Sequence, residues 1–314
     1  MSDVLIPEFM DEGAAAMLKA EYDVQWDPQL WSRRPELIAA VRGARAIVVR
    51  NQTRVDPELI AAGSKLKVVA RMGVGLDNID VATCKARGIE VVPSIGANAL
   101  SVAEYVIATA MILLRGPQLL GTAELVAGGW PRERFARGGV ELAGRTMGII
   151  GFGSIGQVTA ARAKAMGMDV IAYDAILPAS APAWTGFECV GLDALIARAD
   201  IVSLHCPLVP ETRGLIGAAQ MARMKKGAIV INSARGGIVD EAACAAALRS
   251  GQLGGAALDS FDKEPIEKAT GALFTGIPNV ILSPHIAGVT QESNRRIALV
   301  AVDTVRRVLG KTKP

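Results

Sequence analysis

The sequence predicts an α/β protein built on parallel sheets and divided into two domains. Three observations lead there. Short β-branched runs such as AIVV (46–49) alternate with Ala-rich stretches of helical periodicity along the whole chain. The runs are apolar at consecutive positions, as buried parallel strands are. At roughly 150 residues per domain, the 314 residues make room for two such units.

In chain order, helical periodicity covers Gly13–Ala20, and a strand follows at Ala46–Val49. A helix at Pro57–Ala62, a strand at Lys67–Ala70 (KVVA) and a helix at Val81–Arg87 continue the alternation. A long apolar helix, Ser101–Leu114 (SVAEYVIATAMILL), then breaks the rhythm, and a second is expected from about Gln118 to Ala127. Strands resume at Thr146–Ile150, Asp169–Tyr173, Ile201–Leu204, Ala228–Ile231, Gly255–Leu258 and Val280–Leu282. The last helix is expected at about Glu292–Leu309. The break alone suggests a single boundary near residue 100.

Composition narrows the function classes. At 51% apolar and 21% charged the chain is globular, and with 4% aromatics its core must come from Ala, Val, Ile and Leu. The 34 basic and 31 acidic residues are interspersed, leaving +3, with no run suited to nucleic acid or a membrane surface. Neither kind of partner is expected. Cys84, Cys189, Cys206 and Cys244 follow none of the short metal-ligand spacings, so no metal is expected and the thiols suit a reducing compartment. The start MSDVLIPEFMDEG has acids where a signal peptide needs a basic segment. The apolar stretch Tyr105–Leu114 falls short of the ~18 residues of a membrane span. A cytoplasmic location is the expectation.

The first chemical signal is Gly151-Phe152-Gly153-Ser154-Ile155-Gly156. A lone GxGxxG is weak, but this one follows the strand TMGII and precedes the helical run QVTAARAKAMG. Glycines there permit a tight turn and let backbone approach a pyrophosphate seated on the helix N-terminus. Asp174 lies 18 residues beyond Gly156, after DVIAY, where a carboxylate can accept from both ribose hydroxyls. It would repel a 2′-phosphate, which favours NAD over NADP.

The chain has two histidines, His205 after IVSL and His285 after VILSP. Proton chemistry by histidine must use one of them; a hydrogen-bonded structural role is open for each. Both follow apolar strands, and ligands in open α/β sheets bind beyond the carboxyl ends of strands. Arg235 ends the strand AIVINSA beside Gly236 and Gly237, a placement suited to an anion. Glu264 sits past GGAALDS among three acids in six residues, and position alone does not single it out.

The segments RMGVGLDNID (71–80), NALSVAEYV (98–106), GFGSIG (151–156), HCPLVPETRGLI (205–216), INSARGGIVDE (231–241), ALDSFDKEP (257–265) and SPHIAG (283–288) occur in this order. Together they closely resemble the D-isomer-specific 2-hydroxyacid dehydrogenases, in particular the phosphoglycerate, hydroxypyruvate and sulfolactate dehydrogenase branch. The resemblance implies two Rossmann-like doubly wound domains, the cofactor domain inserted into the substrate domain. Residues 1–98 and 290–314 would form the substrate domain and 99–289 the NAD-binding domain, replacing the single cut. It implies Arg235, Glu264 and His285 as the catalytic trio. His285 would exchange the proton, Glu264 would hold its ring, and Arg235 would clamp the α-carboxylate and polarise the carbonyl. Val74 and Gly75 would offer backbone N–H groups to the carboxylate's other side. Besides the glycines and Asp174, the resemblance places Ser154, Ile155, His205, Cys206, Pro207, Thr212, Ser233, Ala234, Arg235, Asp259, His285 and Gly288 along the cofactor. Asp259 would accept from the nicotinamide amide.

The implied function is NAD-dependent interconversion of a small D-2-hydroxy acid and its 2-keto acid. A second anionic group at C3 is expected, as in 3-phosphoglycerate or 3-sulfolactate, because Arg50 and Arg71 resemble arginines that hold the phosphate in phosphoglycerate dehydrogenases. Arg54 flanks the same strand end, and Arg132 resembles an arginine reached from a partner subunit. The alternatives are a general hydroxypyruvate or glyoxylate reductase and, in another class, a non-catalytic NAD(H)-sensing protein of the same fold. A homodimer is expected, because SVAEYVIATAMILL and the next helix are too apolar to leave exposed.

Overall fold

The computed structural model describes residues 2–116, 119, 121–133 and 138–310. They form two units, Met1–Asn98 with Val289–Pro314, and Ala99–Gly288.

In the first unit, strands β1 (Val4–Ile6), β2 (Val24–Trp26), β3 (Ala46–Val49), β4 (Val68–Arg71) and β5 (Glu90–Pro93) make one sheet in the order β2-β1-β3-β4-β5. Every pairing is parallel. All residues of β1, β3 and β4 are buried, which is why these runs are apolar at consecutive positions. Helices Pro57–Ala62 and Val81–Ala86 begin where Asp56 and Asp80 accept the Leu59 and Thr83 N–H groups. Helix Gln291–Leu309, capped by Thr290, lays Ile297, Ala298, Ala301, Val302 and Val305 on the same core as Val48, Val68 and Ala70.

In the second unit, β6 (Thr146–Ile150), β7 (Asp169–Tyr173), β8 (Glu188–Cys189), β9 (Ile201–Leu204), β10 (Ala228–Asn232), β11 (Leu253–Leu258) and β12 (Val280–Leu282) pair in parallel. Their order is β12-β11-β10-β9-β6-β7-β8. Helix Ala99–Arg115 buries Val102, Val106, Ala110 and Leu113 while Met111 and Ile112 stay exposed. Of the expected helix from about Gln118 to Ala127, the described residues show Thr122–Val126; Gln118 and Leu120 lie outside them.

Both units are doubly wound α/β sheets, but they are not copies of one another. The second sheet winds outward from β6 in both directions, the dinucleotide-binding order with an added strand. The first has the order 2-1-3-4-5, the other common doubly wound arrangement. In each, the winding reverses at one place, between β1 and β3 and between β6 and β9, and loops beyond strands at such points make ligand crevices. Among the described residues no helix is long and apolar enough to cross a membrane.

Candidate active site

The turn after β6 needs its three glycines for three different reasons. Gly151 has φ +92°, and a Cβ on it would stand 2.7 Å from the Cys206 nitrogen and the His205 carbonyl carbon. Gly156 would bring a Cβ to 2.1 Å from the Gly151 oxygen, so only glycine lets the helix pack on its own turn. Gly153 faces open space, with nothing within 4 Å of where its Cβ would be. That opening lies at the start of helix Ser154–Ala165, which no side chain caps, so its first N–H groups are available to an anion. Phe152 fills the core, stacked on Trp184 at 4.7 Å.

Asp174 ends β7 and does more than its spacing suggests. It accepts from the N–H groups of Phe152 at 2.7 Å and of Ile176 and Leu177 at 2.9 Å. Burial pushes its carboxyl up, but these three donors outweigh that and hold it below the usual range. The acid at the expected ribose position therefore also pins the glycine turn. Near the end of β10, the Ser233 hydroxyl is buried with no hydrogen-bond partner. An open cradle over an uncapped helix start, an ionised acid beside it and an orphaned hydroxyl all fit a dinucleotide.

Other residues expected along the cofactor also make hydrogen bonds within their own loops. Thr212 donates to the Pro207 carbonyl at 2.7 Å and accepts from Val209 N–H at 2.9 Å, closing the turn after His205 and Cys206. Asn232, buried and not anticipated, takes the Ala234 N–H and donates to the Arg235 carbonyl at 2.8 Å. His205 lies 2.9 Å from the Ser203 hydroxyl, and burial pushes its imidazole down to about 4. It is neutral at pH 7.

Arg235, Glu264 and His285 follow β10, β11 and β12, three neighbouring strands. His285 Nδ1 lies 2.8 Å from Glu264 Oε2, and Glu264 Oε1 accepts the Phe261 N–H at 3.0 Å. Burial would raise the Glu264 carboxyl. The bond to His285, the Phe261 N–H and the charges of His285 and Arg235 outweigh it and hold Glu264 below its usual range. The imidazole is 41% exposed on its side-chain surface, and its residue adopts φ +56°, a left-handed conformation rare outside glycine. Arg235 Nη1 donates to the Ala234 carbonyl. Asp259 is fully buried, and it accepts from the Ser283 hydroxyl and the Ile286 and Ala287 N–H groups. Gly288 ends this unit.

In the first unit, Arg71 ends β4 buried, its Nη1 donating to the Met72 carbonyl. Its guanidinium lies over Gly73, where φ is +144° and a Cβ would come within 2.2 Å of Nη1. The backbone of Val74 and Gly75 follows directly. Arg50, past β3, donates to Asn294 Oδ1 at 3.0 Å and lies 5.7 Å from the Phe9 ring centre; burial lowers its pKa. Two residues that sequence reasoning missed hold this loop. Glu8, buried, accepts from the N–H groups of Arg50 at 2.8 Å, Gln52 at 3.1 Å and Thr53 at 3.0 Å. Asn78 donates to the carbonyls of Arg50 at 2.9 Å and Thr53 at 2.7 Å. The available signal was an acid just past the apolar run VLIP, with no role in solvent. Arg132 is exposed, and residues 134–137 after it lie outside the described part.

Known proteins match this arrangement. The family described as D-isomer specific 2-hydroxyacid dehydrogenase, NAD binding domain, matches residues 108–287. The (S)-sulfolactate dehydrogenase of Chromohalobacter salexigens is 49% identical over 311 residues, 99% of each chain. The D-3-phosphoglycerate dehydrogenase of Mycobacterium leprae is 41% identical over 310 residues, 98% of this chain but 57% of the relative, so the chain spans little more than half of that protein. Among solved structures, a glyoxylate reductase from Paecilomyes thermophila superposes with a TM-score of 0.84 at 28% identity, covering 99% of this chain and 96% of that one.

Proposed function

Because the chain belongs to the D-isomer specific 2-hydroxyacid dehydrogenase family, a family of NAD-dependent oxidoreductases, we propose that its substrate is a three-carbon D-2-hydroxy acid bearing a second anion at C3, of the 3-sulfolactate or 3-phosphoglycerate type. The observation that carries this reading is Arg50 and Arg71, drawn inward at the ends of adjacent strands β3 and β4. Two guanidinium groups at neighbouring strand ends of the first unit are more positive charge than one carboxylate requires, and their forked donors suit a sulfonate or phosphate. The relatives' names agree. The (S) label is no obstacle to a D-specific family. Sulfur makes C3 outrank the carboxylate, so (S)-sulfolactate has the same spatial arrangement as D-lactate.

Bound NAD would accept the hydride from C2 of the hydroxy acid, or return it from NADH to the keto acid. With Nδ1 held by Glu264, His285 would use Nε2 to take the hydroxyl proton in oxidation and return it to the carbonyl oxygen in reduction. Arg235 would hold the α-carboxylate and stabilise alkoxide charge on the reacting oxygen. In the first unit, Val74 and Gly75 would offer backbone donors to a substrate carboxylate.

Substrate selection is tested by kinetics. The kcat/KM for the dianionic substrate is expected to exceed that for lactate by more than about a hundredfold, the ~3 kcal/mol of one or two charge-assisted hydrogen bonds. Arg71→Ala should erase most of that gap and spare hydroxypyruvate. Equal efficiency on lactate, or equal losses on both substrates in the variant, overturns the second-anion assignment and favours a general hydroxypyruvate or glyoxylate reductase.

The same reading includes a cytoplasmic homodimer. Free cysteines suit a reducing compartment. Met111, Ile112, Leu125, Val126 (83%) and Trp130 (79%) leave more apolar surface exposed than scattered single residues explain. Light scattering at micromolar concentration is expected to give twice the 32.8 kDa chain mass. The mass of one chain would refute the dimer.

A further inference from the structure

A line of hydroxyls and one carboxylate runs from helix Ala99–Arg115 to the His285 loop. Tyr105 Oη lies 2.6 Å from Ser283 Oγ, and Ser283 Oγ donates to Asp259 Oδ1 at 2.6 Å. A serine hydroxyl has one proton to give. Because Ser283 gives it to Asp259, the Tyr105 hydroxyl is the donor in the first contact. Burial raises the Tyr105 phenol above its usual range, which keeps that proton in place at neutral pH.

Asp259 is the junction. Besides Ser283, it takes the Ile286 N–H on Oδ1 and the Ala287 N–H on Oδ2, each at 2.8 Å. His285 is therefore bracketed by residues tied to one fully buried carboxylate. Between these ties it adopts φ +56°. A non-glycine residue stays in that conformation only where its surroundings over-determine it, and the bonds converging on Asp259 are what do so. Helix Ala99–Arg115 is a firm base for them, with Val102, Val106 and Ala110 packed in the core shared with β6 and β10.

We propose that Tyr105, Ser283 and Asp259 form a positioning relay that holds His285 in its left-handed conformation, keeping Nδ1 on Glu264 and Nε2 at the reacting oxygen. Tyr105 and Ser283 are positioning residues: they act on the reaction through His285. The inference rests on His285 being the acid and base of the reaction.

Ser283→Ala and Tyr105→Phe test this, each made alone and in a His285→Ala background, with kcat and the Kd for NADH measured for every variant. Ser283→Ala is expected to lower kcat about tenfold, since a misplaced catalytic group loses rate steeply with distance. Tyr105→Phe should lower it by a smaller factor, and NADH binding should be unchanged in both. Without the imidazole, neither substitution should lower the residual kcat further. Tyr105→Phe removes a single oxygen and keeps the test open should Ser283→Ala fold poorly. Equal proportional losses with and without His285 would show a general structural role and overturn the relay. A weaker Kd for NADH with unchanged kcat would assign the line to the cofactor and overturn it too. If His285→Ala loses activity while Ser283→Ala and Tyr105→Phe keep it, the relay alone falls. Undiminished kcat in His285→Ala removes the acid–base reading, and the relay with it.

Discussion

His285→Ala lowers kcat by about 10²–10⁴ and leaves NADH affinity nearly unchanged. The imidazole works on the proton of the reacting oxygen, so its loss raises the barrier without touching the dinucleotide cradle around Gly153. The geometry supports a large effect: Glu264 holds Nδ1 at 2.8 Å, so the ring is already oriented when substrate arrives. His205 is not expected to substitute, since burial pushes it down to about 4 and its Nε2 lies 2.9 Å from the Ser203 hydroxyl. Steady-state oxidation of NADH by a 2-keto acid, with fluorescence titration of NADH binding, makes the measurement. An undiminished kcat would strike His285 from the mechanism.

Gly236→Ala has a comparable effect by a different route. A Cβ there would lie 1.9 Å from the backbone carbon and oxygen of Phe261 and 2.4 Å from the Asp262 nitrogen. Those are main-chain atoms, which cannot swing aside as a flexible side chain can. One of the two loops must move. Gly236 follows Arg235, and Phe261 gives its N–H to Glu264, so parting the loops separates the guanidinium from the acid that orients His285. A fall in kcat/KM of about a hundredfold or more is expected, with a stability loss of about 1–3 kcal/mol from overpacking. Kinetics and a thermal melt report the two effects. For the melt alone, Gly153→Ala is the control, because its Cβ meets no protein atom within 4 Å and the fold should tolerate it. Wild-type kinetics in Gly236→Ala would mean the loops can separate without consequence.

How much of this was legible depended on distance along the chain. Strands such as Ala46–Val49 and Ile201–Leu204 could be read because burial on both faces demands consecutive β-branched residues. Val4–Ile6, Val24–Trp26 and Glu188–Cys189 could not: two or three residues carry no period. The order of the first sheet was equally hidden, since crossovers decide which strands become neighbours. The glycine turn and Asp174 stood out because their chemistry lies within one βαβ unit. Arg235, Glu264 and His285 come from three loops, and a resemblance to known proteins was needed to gather them. Glu8, Asn78 and Tyr105 stayed unseen because their partners lie far along the chain; Glu8 meets the Arg50 N–H 42 residues away and Tyr105 meets Ser283 178 residues away.

Insertion of the second unit into the first sets an order of assembly. The face of the first sheet built from Val48, Val68 and Ala70 is covered by helix Gln291–Leu309, which leaves the ribosome after the whole second unit. Ser94 Oγ reaches the Ile297 carbonyl across 203 residues. Joining such distant points is thermodynamically mild, since a tenfold longer loop adds only about 2 kcal/mol of closure entropy. The kinetic burden is heavier, because contacts of long sequence separation slow folding and keep apolar surface uncovered meanwhile. During synthesis the second unit has its own strands and core complete before the closing helix emerges. The strands translated first are the last to be finished.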